Sequence, residues 1–103
     1  MNLAARHQAF TDLHASGCFV IPNPWDVGSA LYLQQLGFKA LATTSSGFAW
    51  SHGHADNAVT RDLVLAHLHA IVAATDVPVN ADFESGFGRD ATEVAQSVAL
   101  AVE

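Results

Sequence analysis

The sequence predicts an α/β fold in which parallel βα units follow an N-terminal helix. Short apolar segments alternate about three times with amphipathic helical segments along the 103 residues, and each apolar segment ends in polar residues or glycine. This alternation is typical of parallel sheets, in which helices connect successive strands. Since a closed eight-unit barrel needs about 250 residues, the chain forms either a small open sheet or the first part of a TIM (β/α)8 barrel.

The first third of the chain predicts a helix, a strand and a second helix. Apolar residues recur near helical spacing from residue 2 to residue 16, and Gly17 can end this helix. The run Cys18-Phe19-Val20-Ile21 predicts a short buried strand, in which Cys18 is a small core residue. After this strand, Asp26 is expected to cap the second helix.

The middle third predicts a strand at residues 40–44, then a turn, a loop and a third helix. Ser45-Ser46-Gly47 is the expected turn, and residues 48–59 show no helical period and carry several turn-forming residues. Thr60 is expected to cap a helix in which apolar residues recur three and four positions apart. That spacing gives the helix one face suited to a core.

The last third predicts a third strand, which opens at residues 77–79, and a last helix. Asp90, with Glu93 three residues later, resembles a capping box at the start of this helix. The helical pattern runs to Glu103 without a stop signal, so we expect the natural chain to continue. We expect one side of this helix to be buried through Val94, Val98, Ala101 and Val102.

The charge balance and the single cysteine limit the partners and the compartment. Four basic residues stand against ten acidic ones, for a net charge of -6, whereas nucleic-acid binding calls for clustered Lys and Arg. No apolar run approaches the roughly 20 residues of a membrane span, and the N-terminus lacks the apolar core of a signal peptide. With Cys18 alone no internal disulfide can form. We therefore expect a cytoplasmic protein without nucleic-acid or membrane partners.

The surface is predicted to be poor in charge. Only 14% of the residues are charged, compared with about 25% in typical globular domains. A partner subunit or further chain would explain this shortage, because it would cover part of what is otherwise surface. We expect a homo-oligomer.

The strongest functional signal lies at the end of the predicted third strand. Asn80, Asp82 and Glu84 alternate with apolar residues there and run into a glycine turn. Because side chains alternate faces along a strand, the three polar side chains are expected on one face. Two carboxylates suit Mg²⁺, which keeps several waters and leaves positions open for an anionic substrate. The alternative is that Asp82 and Glu84 bind nearby backbone N–H groups.

Three polar turns are expected to meet at one edge of the sheet, because each follows a predicted parallel strand. They are Trp25-Asp26, Ser45-Ser46-Gly47 and Asp82-Phe83-Glu84. Barrel enzymes place their chemistry at the carboxyl ends of the strands. This arrangement favours the first part of a TIM barrel, with residues 1–103 forming one partial barrel domain.

As a set, four segments resemble the isocitrate lyase and phosphoenolpyruvate mutase superfamily. These segments are residues 23–30, 36–40, 44–47 and 82–88. The last resembles the family motif Asp-Ala-Asp-Thr-Gly-Tyr-Gly, with Asp82 and Glu84 at its two acidic positions. Glu84 departs from the motif, since it reaches one methylene further than the family's Asp.

The resemblance implies a Mg²⁺-dependent enzyme that makes or breaks a C–C or P–C bond next to the enolate of a 2-oxo acid. Its substrate would be a small 2-oxo acid or phosphonate, and the reaction could be that of a lyase, a hydrolase or a phosphonomutase. The chain alone is expected to be inactive, because further parts of the family's site lie outside it. The site residues implied are Asp82 and Glu84 at the metal, Ser45, Ser46 and Gly47 at the substrate, and Asp56 in catalysis.

Each of these assignments has a structural alternative. Ser45-Ser46-Gly47 is by itself a plain turn, and Asp56 is by itself a solvated loop residue or an Asx-turn. His67 is expected at the surface. At the level of function, the alternative is a non-catalytic βα module that self-associates or binds another protein.

Overall fold

The computed structural model describes residues 2–103, so Met1, the first residue of the predicted domain, lies outside the described residues. This part of the chain forms five helices and two strands: α1 (Leu3–Leu13), α2 (Val27–Gln35), β1 (Leu41–Ala42), α3 (Ser45–Ser51), α4 (Arg61–Ala74), β2 (Val79–Asn80) and α5 (Ala91–Val102). The strands pair in parallel, with Leu41 opposite Val79. None of these helices combines the length and apolar character that a membrane crossing needs.

The first predicted strand is wrong. Residues 18–21 join no ladder, and in this region the backbone of β1 makes two bonds: the Ala42 N–H donates to the Pro22 carbonyl at 3.0 Å, and the Ala42 carbonyl accepts from the Asn23 side-chain amide at 2.9 Å. Proline has no N–H to donate in return. The prediction that Cys18 is a core residue is also wrong, because Cys18 is exposed and Val20 is 63% exposed. Phe19 packs edge-on against Phe10 and His14, but the rest of the described chain leaves Cys18 and Val20 uncovered.

The core consists of two apolar clusters that share α4. In the first cluster, Ala30 of α2, Leu41 of β1 and Ile71 of α4 are fully buried. In the second, Phe48 of α3 packs with two further residues of α4, Val64 and Leu68. The period predicted for α4 is therefore confirmed. Helix α4 therefore packs against both β1 and α3.

The predicted helix caps are confirmed, with one change of partner. Asp26 and Ser29 form a complete capping box at α2, and their hydrogen bonds lower the pKa of Asp26. Thr60 accepts a bond from the Leu63 N–H at α4. At α5, Asp90 accepts the Glu93 N–H at 2.9 Å, but the Glu93 carboxylate accepts the Arg89 N–H instead of the Asp90 N–H.

Helix α3 lies where the sequence predicts a turn followed by a loop, so that prediction is wrong for residues 45–51. Thr44 begins the helix, because its Oγ1 accepts the Gly47 N–H at 3.1 Å. Phe48 and Ala49 are buried. A helix of seven residues is marginal by itself, so the burial of Phe48 stabilises α3. Local periodicity does not reveal this tertiary contact.

The buried stripe predicted for α5 is wrong. Val98 is 45% exposed and Val102 is 69% exposed, whereas the neighbouring Ser97 is fully buried. The helix packs against α4, and in the described chain no other element covers the side that carries Val98. A helical stripe shows which side can be buried. Whether it is buried depends on what lies against it.

Arg6 joins α1 to the end of α4. Its Nη1 donates to the Val72 carbonyl at 2.9 Å, and its Nη2 donates to the Thr75 carbonyl. The last carbonyls of a helix lack partners within the helix and carry partial negative charge. The guanidinium therefore satisfies these carbonyls and holds the two helices together.

Replacing Arg6 with alanine is expected to lower the free energy of unfolding by about 1–3 kcal/mol, because two charge-assisted hydrogen bonds are lost. Urea unfolding measures the change. Gln8→Ala is the matched control, since the Gln8 amide bonds only the exposed Asp12 of the same helix, and it should change stability by less than about 0.5 kcal/mol. Equal effects of the two substitutions would show that Arg6 is not an anchor.

Candidate metal and substrate site

The predicted site residues surround the carboxyl ends of β1 and β2. Asp82 lies two residues beyond β2, and α3 begins shortly after β1. The Asp82 N–H donates to the Oγ1 of Thr43, a buried residue, at 2.9 Å. The Ser45 N–H donates to Asp82 Oδ2 at 3.2 Å. The structure thus brings the acidic segment and the start of α3 into direct contact.

Both carboxylate oxygens of Asp82 accept a backbone N–H. Oδ2 accepts from Ser45, and Oδ1 accepts from Glu84 at 3.1 Å. This is the backbone-binding alternative that the sequence left open. Each oxygen of a carboxylate has about two acceptor positions, so each keeps one, and Asp82 is exposed. The two bonds fix the orientation of the carboxylate and leave it able to bind a cation.

Glu84 lies in a turn, so the predicted strand face shared by Asn80, Asp82 and Glu84 is wrong. Strand β2 ends at Asn80, and Glu84 has a left-handed backbone with φ 52°. Non-glycine residues adopt this conformation at an energetic cost, most often at functional sites. Burial raises the pKa of Glu84, and the negative charges of Asp56 and Asp82 raise it further.

Asp56 lies in the exposed loop between α3 and α4. Its Oδ1 accepts the Asn57 N–H at 3.0 Å, which is the local contact that the sequence gave as the alternative to catalysis. Its charge nevertheless acts on Glu84, so Asp56, Asp82 and Glu84 form an acidic rim. Across residues 2–103, no group of three or more His, Cys, Asp or Glu side chains is arranged to hold a metal ion.

Two of the three backbone donors of Ser45-Ser46-Gly47 are already used within the protein. The Ser45 N–H binds Asp82, and the Gly47 N–H binds Thr44 Oγ1. The Ser46 N–H has no partner within residues 2–103. The Ser46 hydroxyl lies within hydrogen-bond distance of Thr44 Oγ1, at 3.4 Å. The Ser46 amide and the Ser45 hydroxyl are therefore the groups that remain for a ligand.

Gly47 is required by packing. A Cβ at this position would lie 2.5 Å from Thr44 Cγ2 and 3.3 Å from Trp25 Cβ. Contacts under 3.0 Å force a shift, and Thr44 is β-branched and cannot turn away while it caps α3. The absence of a side chain thus allows the cap to form.

The glycine turn after Glu84 packs against the start of α5. Gly86 is buried with φ 88°, and a Cβ there would lie 2.7 Å from Val94 Cγ1. At Gly88 a Cβ would lie 2.6 Å from the Val94 backbone nitrogen. These contacts fix the turn that carries Glu84 relative to α5.

Sequence reasoning missed two residues that support the site. Thr43 orients the Asp82 backbone, and its signal was one of the two hydroxyl side chains, with Thr44, at the end of an apolar strand. His67 is half-buried, so its predicted surface position is wrong. It lies three residues after Val64 and four before Ile71, which places it near the buried face of α4. Its ring stacks on Phe48 with centroids 4.0 Å apart.

Residues 10–103 match the family model for phosphoenolpyruvate phosphomutase. The chain belongs to this family. The sequence-based resemblance is therefore confirmed over almost its whole length. As in its relatives, the parallel βα arrangement is that of part of a barrel, here with two strands in place of the three predicted.

Two relatives show how much of a family member the chain represents. It is 42% identical over 93 residues to an uncharacterized protein of Mycobacterium tuberculosis, covering 88% of this chain and 36% of that protein. It is 36% identical over 100 residues to 2,3-dimethylmalate lyase of Eubacterium barkeri, covering 95% of this chain and 34% of the lyase. The chain spans about a third of the length of these relatives.

Solved structures of the family share the fold. A candidate lyase/mutase from Burkholderia cenocepacia superimposes with a TM-score of 0.93 at 50% identity, over 96% of this chain and 36% of that one. For the crystal structure of 2,3-dimethylmalate lyase, the TM-score is 0.82 at 30% identity, and the match covers 98% of this chain and 36% of the lyase. A phosphonopyruvate hydrolase crystallised with oxalate and Mg²⁺ has a TM-score of 0.82 at 26% identity, and the match covers 94% of this chain and 35% of the hydrolase.

Gly47→Ala is expected to lower the free energy of unfolding by about 1–3 kcal/mol, because the added methyl group collides with Thr44 and disrupts the α3 cap. Gly28→Ala is the matched control, since Gly28 also lies in the first turn of a helix and its Cβ would meet only Asp26 Oδ1 at 3.7 Å. Gly28→Ala should leave the stability unchanged or raise it. Thermal unfolding of the two variants measures the difference, and equal stability of both would contradict the steric role of Gly47.

Glu84→Gln is expected to stabilise the metal-free protein near neutral pH by at most about 0.5 kcal/mol, because it removes charge repulsion at the acidic rim. The pKa of Glu84 is raised in the folded state, so Glu84 of the wild-type protein becomes neutral as the pH falls through that pKa, and the repulsion is lost. The stability difference between Glu84→Gln and the wild-type protein therefore disappears in acid. Urea unfolding in EDTA measures it.

Glu93→Gln is the matched control for this substitution. Arg89 lowers the pKa of Glu93 through its backbone N–H and then through its guanidinium, so removal of this charge should destabilise the protein. If both substitutions changed the free energy of unfolding in the same direction, the repulsion at Glu84 would be contradicted.

Proposed function

We propose that this chain forms the N-terminal part of the active site of an enzyme that makes or breaks a C–C or P–C bond next to the enolate of a 2-oxo acid. The observation that carries the proposal is the position of Asp82. Its carboxylate is exposed, held by two backbone N–H groups, and located where the carboxyl ends of the two parallel strands meet α3. Barrel enzymes carry their reactive groups at this edge.

The acidic rim fits Mg²⁺ in its donor chemistry. Asp82 and Glu84 supply carboxylate oxygens, which hard cations prefer, and Mg²⁺ is commonly held by one or two carboxylates with water in its other positions. Burial raises the pKa of Glu84 and the negative charges of Asp56 and Asp82 raise it further, so a bound cation would be favoured here. Asp82 and Glu84 would hold the ion. When bound, Mg²⁺ would stabilise the charge that develops on the enolate oxygen.

Ser45 and Ser46 would bind the anionic end of the substrate. The free Ser46 N–H and the Ser45 hydroxyl are donors beside Asp82, and they suit a carboxylate or phosphoryl oxygen. The Ser46 hydroxyl would add a third donor on leaving Thr44 Oγ1. The bond from the Ser45 N–H to Asp82 fixes these donors relative to the carboxylate. Gly47 contributes indirectly, by letting Thr44 cap α3.

Asp56 would act beside Glu84 at the acidic rim. Its negative charge raises the pKa of Glu84, and an exposed carboxylate can position a water molecule or accept its proton.

The proposed reaction types are those of a lyase, a hydrolase and a phosphonomutase. A 2,3-dimethylmalate lyase and a phosphonopyruvate hydrolase are both among the similar proteins.

The 103 residues by themselves are proposed to bind ligand weakly and to turn over no substrate. They provide at most two metal ligands and two substrate-binding residues, and the relatives are about three times as long. Binding is therefore the property to test.

Oxalate with Mg²⁺ is expected to shift the backbone amide NMR signals of Ser45 and Ser46, because oxalate resembles an enolate and the Ser46 N–H is free. Asp82→Asn should weaken this binding at least about tenfold, since a neutral amide is a poor Mg²⁺ ligand. Asp76→Asn is the matched control, because Asp76 is an exposed residue before the opposite end of β2. It should leave the affinity unchanged.

Equal affinity of the wild-type protein and Asp82→Asn would exclude the role assigned to Asp82. Absence of binding, combined with a stable dimer or larger assembly in size-exclusion chromatography, would favour the non-catalytic module. The exposed apolar residues of α5, Val98, Leu100 and Val102, are what such an assembly would cover.

A further inference from the structure

His67 is held in a way that suits only its neutral form. Its ring stacks on Phe48 with 4.0 Å between centroids and 15° between planes. Its Nε2 is buried and has no hydrogen-bond partner within residues 2–103. A neutral imidazole can leave Nε2 as an unprotonated acceptor, whereas an imidazolium carries N–H on both nitrogens. Protonation would therefore create a charged, unpaired donor in an apolar position.

Two titratable groups face His67 from the neighbouring elements. His52 follows α3 and contacts the same Phe48 ring, with centroids 4.6 Å apart. Asp26 caps α2, where Ser29 already binds its carboxylate. Burial lowers the pKa of His67, the charge of His52 lowers it further, and the charge of Asp26 opposes this shift. Neutral His67 is thus the form that the folded protein favours.

Helix α3 depends on the Phe48 contact. Phe48 is only 5% exposed, and it joins α3 to α4 through Val64, Leu68 and the ring of His67. It follows Ser46 by two residues within the same short helix. Whatever holds Phe48 therefore also holds the two serines beside Asp82.

We infer that His67 is a positioning residue whose protonation loosens α3, so that the Ser45-Ser46 donors lose their fixed position in mildly acidic solution. The loosening concerns the fold, and its consequence for ligands rests on the proposed function. His67 binds protons more readily when α3 is released than when it is docked. The docked state is therefore fully stable above the usual histidine pKa of about 6.5, and it loses stability as the pH falls through the lower pKa of docked His67.

Amide hydrogen exchange tests the loosening without any ligand. Between about pH 7.5 and about pH 5, protection factors of the Phe48 and His52 amides should fall at least about threefold relative to those of α4. His67→Phe keeps an aromatic ring against Phe48 and cannot be protonated, so it should abolish the fall. His69→Phe, at an exposed position two residues later, should retain it, and His52→Gln should retain most of it.

If the amide protection of α3 depended on pH equally in the wild-type protein and in His67→Phe, the inference would be overturned. Should His67→Phe fail to fold, NMR titration of the His67 ring in the wild-type protein provides the test. Its NMR titration midpoint is expected below about 6.5, and a midpoint at or above that value would equally overturn the inference.

Ligand binding separates this inference from the proposed function. With Mg²⁺ and oxalate, affinity relative to His67→Phe should fall about threefold or more between the same two pH values. An unchanged ratio would overturn the link between His67 and the serines. Absence of oxalate binding at every pH would contradict the proposed function instead, and the exchange result would still decide whether protonation loosens α3.

Discussion

The hydrogen bonds of Asp82 join the two strand ends of this protein, and the arrangement of the site depends on them. The Asp82 N–H binds Thr43 after β1, and its carboxylate binds the N–H groups of Ser45 and Glu84. One residue therefore sets the distance between the acidic rim and the first turn of α3. Because each carboxylate oxygen keeps one acceptor position, the same group that organises the backbone can also bind a cation.

Helix α4 provides the support beneath this arrangement. It contributes to both apolar clusters, and Arg6 binds the carbonyls at its end. Helix α3 is too short to be stable alone, so its position is set by Phe48 against α4. The site is consequently only as rigid as this contact, which is why a single imidazole such as His67 can influence it.

The acidic rim is built at a cost to stability. Glu84 has a left-handed backbone, and its neighbours Asp56 and Asp82 repel its charge. Strain and like-charge repulsion of this kind are typical of functional sites, where a bound ligand relieves them. A neutral side chain at position 84 would avoid the repulsion, but it would lack the charge that the proposed metal site uses.

The sequence by itself determined the features that depend on near neighbours along the chain: the caps at Asp26, Thr60 and Asp90, the apolar period of α4, and the motif that led to the family. Tertiary structure decided what covers each face. It left Cys18, Val20 and much of the predicted stripe of α5 exposed, formed α3 by burying Phe48, and turned Asp82 toward two backbone amides. The physical reason is that a cap closes within three residues, whereas burial needs a partner surface from distant parts of the chain.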